Sequence, residues 1–196
     1  MATKQIIFAS HNAGKIKEIR ALLSPLGVDV LSAEDMDLDD VAETGSTFEE
    51  NAKIKALAAA KVAGLPALAD DSGLCIHGLN NEPGIYSSRY AQKMGGYPNA
   101  FADVLKRLEN NSDKTAHFSC VLVLAFPNGE TKTFEGRVDG KIVTPRNGAN
   151  GFGFDPIFMP DGFTQSFAEL SEIKKNSISH RGKAVHLFIE YLKNNF

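Results

Sequence analysis

Ser10, His11, Asn12, Ala13, Gly14 and Lys15 follow a short apolar run and open a helical pattern. A helix start leaves backbone N–H groups without intrahelical partners, and a lysine beside them can hold phosphate as a point charge. The spacing is not the Gly-x4-Gly-Lys-Ser/Thr loop, and a surface lysine in a strand-to-helix turn gives the same pattern. Asn51 and Lys55 stand four apart and share a helix face. Asp70 and Asp71 close a short apolar strand, Ala67-Leu68-Ala69. Successive strand residues point oppositely, so one aspartate faces a site and the other anchors the turn. Glu43 with one of them makes a donor set suited to Mg²⁺, which takes a few carboxylates completed by phosphate oxygens and water. Asp70-Asp71-Ser72-Gly73 is equally a good β-turn sequence.

Two further segments carry chemistry. Gly151-Phe152-Gly153-Phe154-Asp155-Pro156 sets two aromatics around a glycine and closes on an acid. That is a platform for a flat base, or a loop whose phenylalanines plug the core. Lys174 to Lys183 leads into a C-terminal amphipathic helix with Ser179 at the N-cap position. Its basic residues oppose the positive end of the helix dipole, which favours acids. Lys175, His180 and Arg181 together therefore point to something negative or polar bound there. The other histidines show no zinc spacing, and no Gly-x-Ser-x-Gly elbow occurs. A phosphate cradle, a carboxylate metal site, an aromatic platform and a polar cluster able to read a base edge add up to a nucleotide site. A pyrophosphatase of modified pyrimidine nucleotides and a nucleotide-binding regulator without turnover are the alternatives.

The elements that must position these residues alternate. Ile6 to Ala9 reads as a buried strand, a helix runs to Leu23 and stops at Ser24-Pro25, and Val28 to Leu31 forms a second strand. Thr47 and Glu50 make a capping box for an Ala- and Lys-rich helix from Phe48 to Ala63, ended by Gly64. Pro83 to Tyr97 reads as loop and Phe101 to Leu108 as helix. Ala116 to Phe126 and Thr131 to Val138 form a hairpin through Pro127-Asn128-Gly129-Glu130. Asn147 to Asp155 is a Gly-rich loop. The last helix, about His180 to Asn194, turns Val185, Leu187, Phe188, Tyr191 and Leu192 to the core. Strand–helix units plus an antiparallel hairpin give an α/β fold on a mixed, twisted sheet flanked by helices.

Composition narrows the class. A net charge of -3 argues against a general nucleic-acid coat or an anionic-membrane binder, so any phosphate site is local. No long apolar span or secretory h-region is visible, and a cytoplasmic location is the expectation. Cys75 and Cys120 lie far apart without metal spacing and read as buried thiols.

The ordered set Ser10-His11-Asn12-Ala13-Gly14-Lys15, Glu43-Thr44-Gly45, Thr47-Phe48-x-Glu50-Asn51-Ala52, Ala69-Asp70-Asp71-Ser72-Gly73-Leu74, Pro83-Gly84-Ile85-Tyr86-Ser87-Ser88-Arg89-Tyr90, Gly151-Phe152-Gly153-Phe154-Asp155-Pro156 and Ser179-His180-Arg181-Gly182 resembles the inosine/xanthosine triphosphate pyrophosphatases over nearly the whole chain. The resemblance implies Mg²⁺-dependent hydrolysis of ITP, dITP and XTP to the monophosphate and pyrophosphate. It implies one domain over residues 1–196, in two lobes with an active-site cleft between them, and a homodimer. By the same resemblance Ser10 to Lys15 and Lys55 hold the triphosphate, with Ser72 at the site. Glu43 and Asp71 bind Mg²⁺, and Asp71 is the general base. Phe152, Gly153, Phe154 and Asp155 flank the base, and Lys175, His180 and Arg181 complete its pocket, where His180 or Arg181 donates to a 6-oxo group. Two departures stand out: Ala42 replaces a second acid before Glu43, and Phe154 stands where relatives often carry Tyr or Trp. The stretch from Gln92 to Asn99 is shorter and richer in glycine than the resemblance leads one to expect.

Overall fold

A computed structural model of the chain describes residues 4–145, 148 and 150–195. Met1 to Thr3, and Asn147 and Ala149 of the expected Gly-rich loop, lie outside the described residues. The elements run β1 (Lys4–Phe8), α1 (Ala13–Leu23), β2 (Val28–Ser32), α2 (Phe48–Ala63), β3 (Ala67–Ile76), β4 (Glu82–Pro83), α3 (Ser87–Lys93), α4 (Tyr97–Arg107), β5 (Thr115–Ala125), β6 (Thr131–Ile142), β7 (Phe158–Pro160), α5 (Glu172–Ile178) and α6 (His180–Asn195). The strand order is β2-β1-β3-β5-β6-β7, with β4 on β3. β1 is parallel to β2 and β3, while β4 and β7 run antiparallel to their neighbours, so the sheet is mixed as expected.

The chain divides into two compact units. The first comprises Met1–Asp71, Cys120–Gly136 and Arg181–Phe196, the second Ser72–Ser119 and Arg137–His180. The division falls inside β3, β5 and β6 and at the start of α6 rather than at a linker, which is why no composition shift marks it.

In the first unit the two-residue period of the strands sorts side chains into two layers. Ile6, Phe8, Leu68, Leu122 and Leu124 face α1 and α6, where Ile19, Leu23, Val185 and Phe188 are fully buried. Ile7, Ala67, Ala69, Val121 and Val123 face α2. That helix buries Ala52, Ala56, Ala59 and Ala60, one face of the 3.6-residue repeat. Small side chains there let helix and sheet approach closely. Thr47 caps α2 by accepting from the Glu50 N–H at 3.1 Å, and Gly64 ends it in the left-handed region. The reciprocal arm of the capping box is displaced by one residue. Glu50 accepts from the backbone and hydroxyl of Ser46, both at 2.7 Å.

The second unit has a single core. Leu74, Ile76, Phe118, Val138 and Ile142 from the sheet meet Phe101 and Val104 of α4 and Phe154, Phe158 and Phe167. Pro83 to Tyr97, expected as loop, contains α3, and α4 begins at Tyr97. The apolar residues of α3 are too sparse to show a helical period, while the expected helix from Phe101 begins one turn earlier, at Tyr97. Leu187, expected in the core, is exposed (48%), because α6 turns Val185 and Phe188 inward instead.

Candidate active site

The turn after β1 builds the first cluster of the first unit. Asn12 caps α1, its Oδ1 accepting from the Lys15 N–H at 3.1 Å, while the Asn12 N–H donates to Ser10 Oγ at 3.2 Å. The cap leaves the amides of Ala13 and Gly14, in the first helical turn, without intrahelical acceptors. This is the anion-receptive end of an 11-residue helix. His11 is exposed and its Nε2 donates to the Leu38 carbonyl at 3.1 Å. Lys15 reaches inward, its Nζ donating to Asp70 Oδ1 at 3.0 Å.

Asp70 and Asp71 do not form a turn. They lie in the middle of the ten-residue strand β3, both buried. The turn reading fails because Gly73 is needed for close approach: a Cβ there would strike the Gly84 carbonyl oxygen. Opposite pointing of the two carboxylates sends them to different partners. Asp70 takes Lys15 and, at 3.1 Å, Arg181 Nη2. Asp71 accepts from Asn51 Nδ2 at 3.0 Å, and the same Asn51 amide accepts from the Gly45 N–H at 2.8 Å. Lys55, one helical turn on, donates to Glu43 at 2.5 Å. Burial pushes the Asp71 carboxyl up to about 6; the Glu43 charge adds to the rise, and Lys55, Lys15 and Asn51 oppose it. Burial works against the Lys55 ammonium, yet the charges of Asp70 and Glu43 hold its pKa above the usual value.

This donor set fits a hard divalent cation. Glu43 and Asp71 are both carboxylates, and the charge of one makes the other harder to ionise, a repulsion that such a cation relieves. Among the described residues, no group of three or more His, Cys, Asp or Glu side chains forms a metal cage. Two carboxylates leave room for the water and phosphate oxygens that Mg²⁺ retains.

The C-terminal basic segment starts α6 at His180 as expected, with extended Ser179 just before it, but a short helix precedes them. Lys174 and Lys175 lie in α5, capped by Ser171. Ser179 is the extended residue that ends α5, and its N–H bonds the Lys175 carbonyl. Arg181 opens the last first-unit segment and is 2% exposed. Its Nη1 donates to Glu18 and its Nη2 to Asp70, so both terminal nitrogens meet carboxylates rather than a base edge. Burial opposes its charge, but Asp70 and Glu18 raise its pKa further. The unfavourable dipole position is thereby answered by two protein acids. Glu18 gave no sequence signal, since its partner lies 163 residues away.

The second unit holds the other cluster. Asp155 and Lys175 form a buried ion pair at 2.8 Å, each side chain 4% exposed. Asp155 also accepts from the Phe152 N–H at 2.7 Å, which folds the loop back upon itself. Gly151 and Gly153 take positive φ (81° and 65°), conformations an L side chain resists. The two phenylalanines divide the expected roles. Phe154 plugs the core against Tyr97, Tyr90 and Phe101, so it is not a base platform. Phe152 is half-buried, with Lys175 Nζ 4.9 Å above its ring, and lines an open cavity of about 440 Å³ with Gly151, Gly153, Asn150 and Pro98. His180 is buried and stacked on Phe118, centroids 4.7 Å apart and planes 10° from parallel. Ser72, the first residue of this unit, is partly buried.

A model of the Ham1 family matches residues 6–191. The chain belongs to the Ham1 family. Within the family, a dITP/XTP pyrophosphatase of Gluconobacter oxydans is 47% identical, the match covering 94% of this chain and 89% of that protein. A dITP/XTP pyrophosphatase of Agrobacterium fabrum is 43% identical over 96% of this chain and 95% of its own length. Among solved family structures, a HAM1 protein from Coxiella burnetii superposes with a TM-score of 0.89 at 43% identity, covering 97% of this chain and 99% of that one. A nucleoside-triphosphatase, dITP/XTP pyrophosphatase, from Mycobacterium abscessus gives 0.75 at 38% identity, with 94% and 98% covered. The α/β mixed sheet with flanking helices is thus the family fold. Among the described residues, no helix is long and apolar enough to cross a membrane. Cys75 and Cys120 are buried free thiols, as expected.

Proposed function

We propose that this chain hydrolyses non-standard purine nucleoside triphosphates (ITP, dITP and XTP) to the monophosphate and pyrophosphate, clearing deaminated purines from the nucleotide pool. The observation that carries the reading is the cluster of Glu43, Lys55, Asn51, Asp71 and Lys15, in which the buried Asp71, an acid of raised proton affinity, stands among part-buried lysines and a second carboxylate. The names of the family relatives support the substrate class.

In this reading the first-turn amides of α1, Ser10 and Lys15 bind triphosphate oxygens, and Lys55 takes a second position on them. Glu43 and Asp71 would hold Mg²⁺, which when bound neutralises phosphate charge. Asp71 accepts the proton of the water that attacks the α-phosphorus, and the α–β anhydride bond breaks with pyrophosphate as leaving group. A carboxylate of raised pKa suits this task, being ionised at neutral pH yet more basic than a free aspartate. Asn51 fixes its orientation. Phe152 offers the stacking face, Gly153, the Asp155–Lys175 pair and His180 shape the base side, and Ser72 sits beside the general base. A donor that meets the 6-oxo group of hypoxanthine or xanthine is left unpaired by the 6-amino group of adenine, and such mismatches carry factors on the order of 10⁴ in polar sites. Arg181 enters through Asp70 and Glu18, holding the floor beneath Lys15. The chain acts as one cytoplasmic catalytic domain in a homodimer, which light scattering tests.

The decisive experiment supplies ITP, dITP, XTP, GTP, ATP and deaminated or methylated pyrimidine triphosphates with Mg²⁺ and identifies the products. Monophosphate and pyrophosphate from the deaminated purines are expected. Orthophosphate alone, binding without turnover, or equal rates on all substrates would sink the reading.

A further inference from the structure

The stretch from Gln92 to Asn99 has no part in the chemistry above, yet it delivers Tyr97 to the loop that does. Gly95 and Gly96 both take positive φ (79° and 125°), and Pro98 follows within the first turn of α4, so the chain turns sharply and sets Tyr97 as the first helical residue. Its ring meets Phe154 edge-on, centroids 5.3 Å apart and planes at 84°, and lies 6.2 Å from Phe101. It also stands against Gly153: a Cβ built there would fall 3.7 Å from the Tyr97 ring and hydroxyl. The hydroxyl is partly buried, hydrogen-bonded with Ser88 of α3, and within electrostatic reach of Asp155. Burial raises its pKa, the Ser88 bond opposes the rise, and the Asp155 charge adds to it.

Tyr97 thus touches the backbone turn and the buried anchor of a loop whose other side presents Phe152 to the cavity. It is absent from the cavity lining, whereas its helix neighbours Pro98 and Phe101 are part of it. A side chain so placed controls where the platform stands without meeting what binds there.

We propose that Tyr97 is a positioning residue for the purine platform, holding Gly153 and Phe154 so that Phe152 keeps its place at the cavity and the Asp155–Lys175 pair its place beside Phe152. The proposal rests on the reading of the second unit's cluster as the base site. The edge contact of the ring carries the effect and the hydroxyl trims it.

The test compares wild type, Tyr97→Leu and Tyr97→Phe in steady-state turnover of ITP, XTP and UTP, with inorganic tripolyphosphate as a competitive inhibitor that has no base. Tyr97→Leu keeps apolar bulk and removes the aromatic edge. It is expected to raise KM for ITP and XTP on the order of tenfold, the scale one aromatic edge contact carries. Its kcat and its tripolyphosphate Ki should stay within about twofold of wild type, the signature of lost base binding alone. Tyr97→Phe should return KM to within about threefold. An unchanged KM in Tyr97→Leu, a parallel rise in the tripolyphosphate Ki, or a Tyr97→Phe variant as impaired as Tyr97→Leu overturns the assignment of Tyr97. A wild-type enzyme that does not distinguish ITP from UTP removes the base-site reading itself, and the proposal with it.

Discussion

In the first unit four carboxylates, Glu18, Glu43, Asp70 and Asp71, face three cations, Lys15, Lys55 and Arg181. In the second unit one carboxylate, Asp155, meets one ammonium, Lys175, inside a wall of Phe152 and Phe167. The first arrangement holds its acids away from water: burial, with the Glu43 charge adding to it, pushes the Asp71 carboxyl up to about 6 although Lys55, Lys15 and Asn51 oppose the rise. Its Glu43 and Asp71 carboxylates fit the hard divalent cation of the proposed function. The second pairs its charges one to one, and in the proposed function it meets the base through shape, stacking and hydrogen bonds. Chemistry on phosphate needs the former, and discrimination between flat bases needs the latter.

Substitutions at equivalent points should therefore fail in different ways. Asp71→Asn removes a surplus acid. Turnover should fall about 10³-fold, the scale of a lost general base, while the metal-free protein keeps or raises its melting temperature. Near-normal kcat, or a large loss of stability, would break the contrast. Lys175→Met does the reverse, since it leaves Asp155 buried and uncompensated. Urea denaturation should show a loss of about 3–5 kcal/mol, and a change below about 1 kcal/mol would mean that the pair is not closed to water.

A finer contrast lies within one loop. Phe154→Ala should cost about 3–5 kcal/mol of stability, as other buried Phe truncations do. Phe152→Ala should cost under about 1.5 kcal/mol for a half-buried ring, and should raise KM for ITP instead. Equal stability losses would erase the distinction between plug and platform.

The smallest effect concerns a histidine pair outside both clusters. His77 Nε2 and His117 Nδ1 share a hydrogen bond at 2.9 Å, and His77 also bonds Thr115. Burial lowers the His117 pKa, Arg137 and His77 lower it further, and Asp139 opposes them. A folded-state pKa below the unfolded value means that the unfolded chain binds more protons in between. Stability contributed here is present above pH 6.5, the unfolded value, and is lost as pH falls below it. Melting temperatures taken between pH 7.5 and pH 5.5 should decline, and His117→Gln should flatten part of that slope.

Helix α2, with its Thr47 cap and Gly64 stop, was legible from local rules, because caps and termini act within a few residues. So was the hairpin of β5 and β6. The interior of β3 was not, because Asp-Asp-Ser-Gly has turn propensity and only its neighbours keep it extended. The partners of Arg181 were hidden for another reason: Glu18 and Asp70 lie 163 and 111 residues away. Asn51 was visible as a neighbour of Lys55, but its bridge between Gly45 and Asp71 was not.

What the sequence determined by itself is the set of chemical groups and their order: lysines at a helix start, carboxylates near a strand, a glycine-framed aromatic pair and a basic junction. Local propensity and side-chain type suffice for that. The tertiary structure alone decided how the groups are paired. It assigned Arg181 to two acids, Phe154 to the core, Phe152 to the cavity and Tyr97 to the loop behind it. Pairing depends on burial and on distances between residues far apart in the chain, and these exist only once the sheet has brought them together.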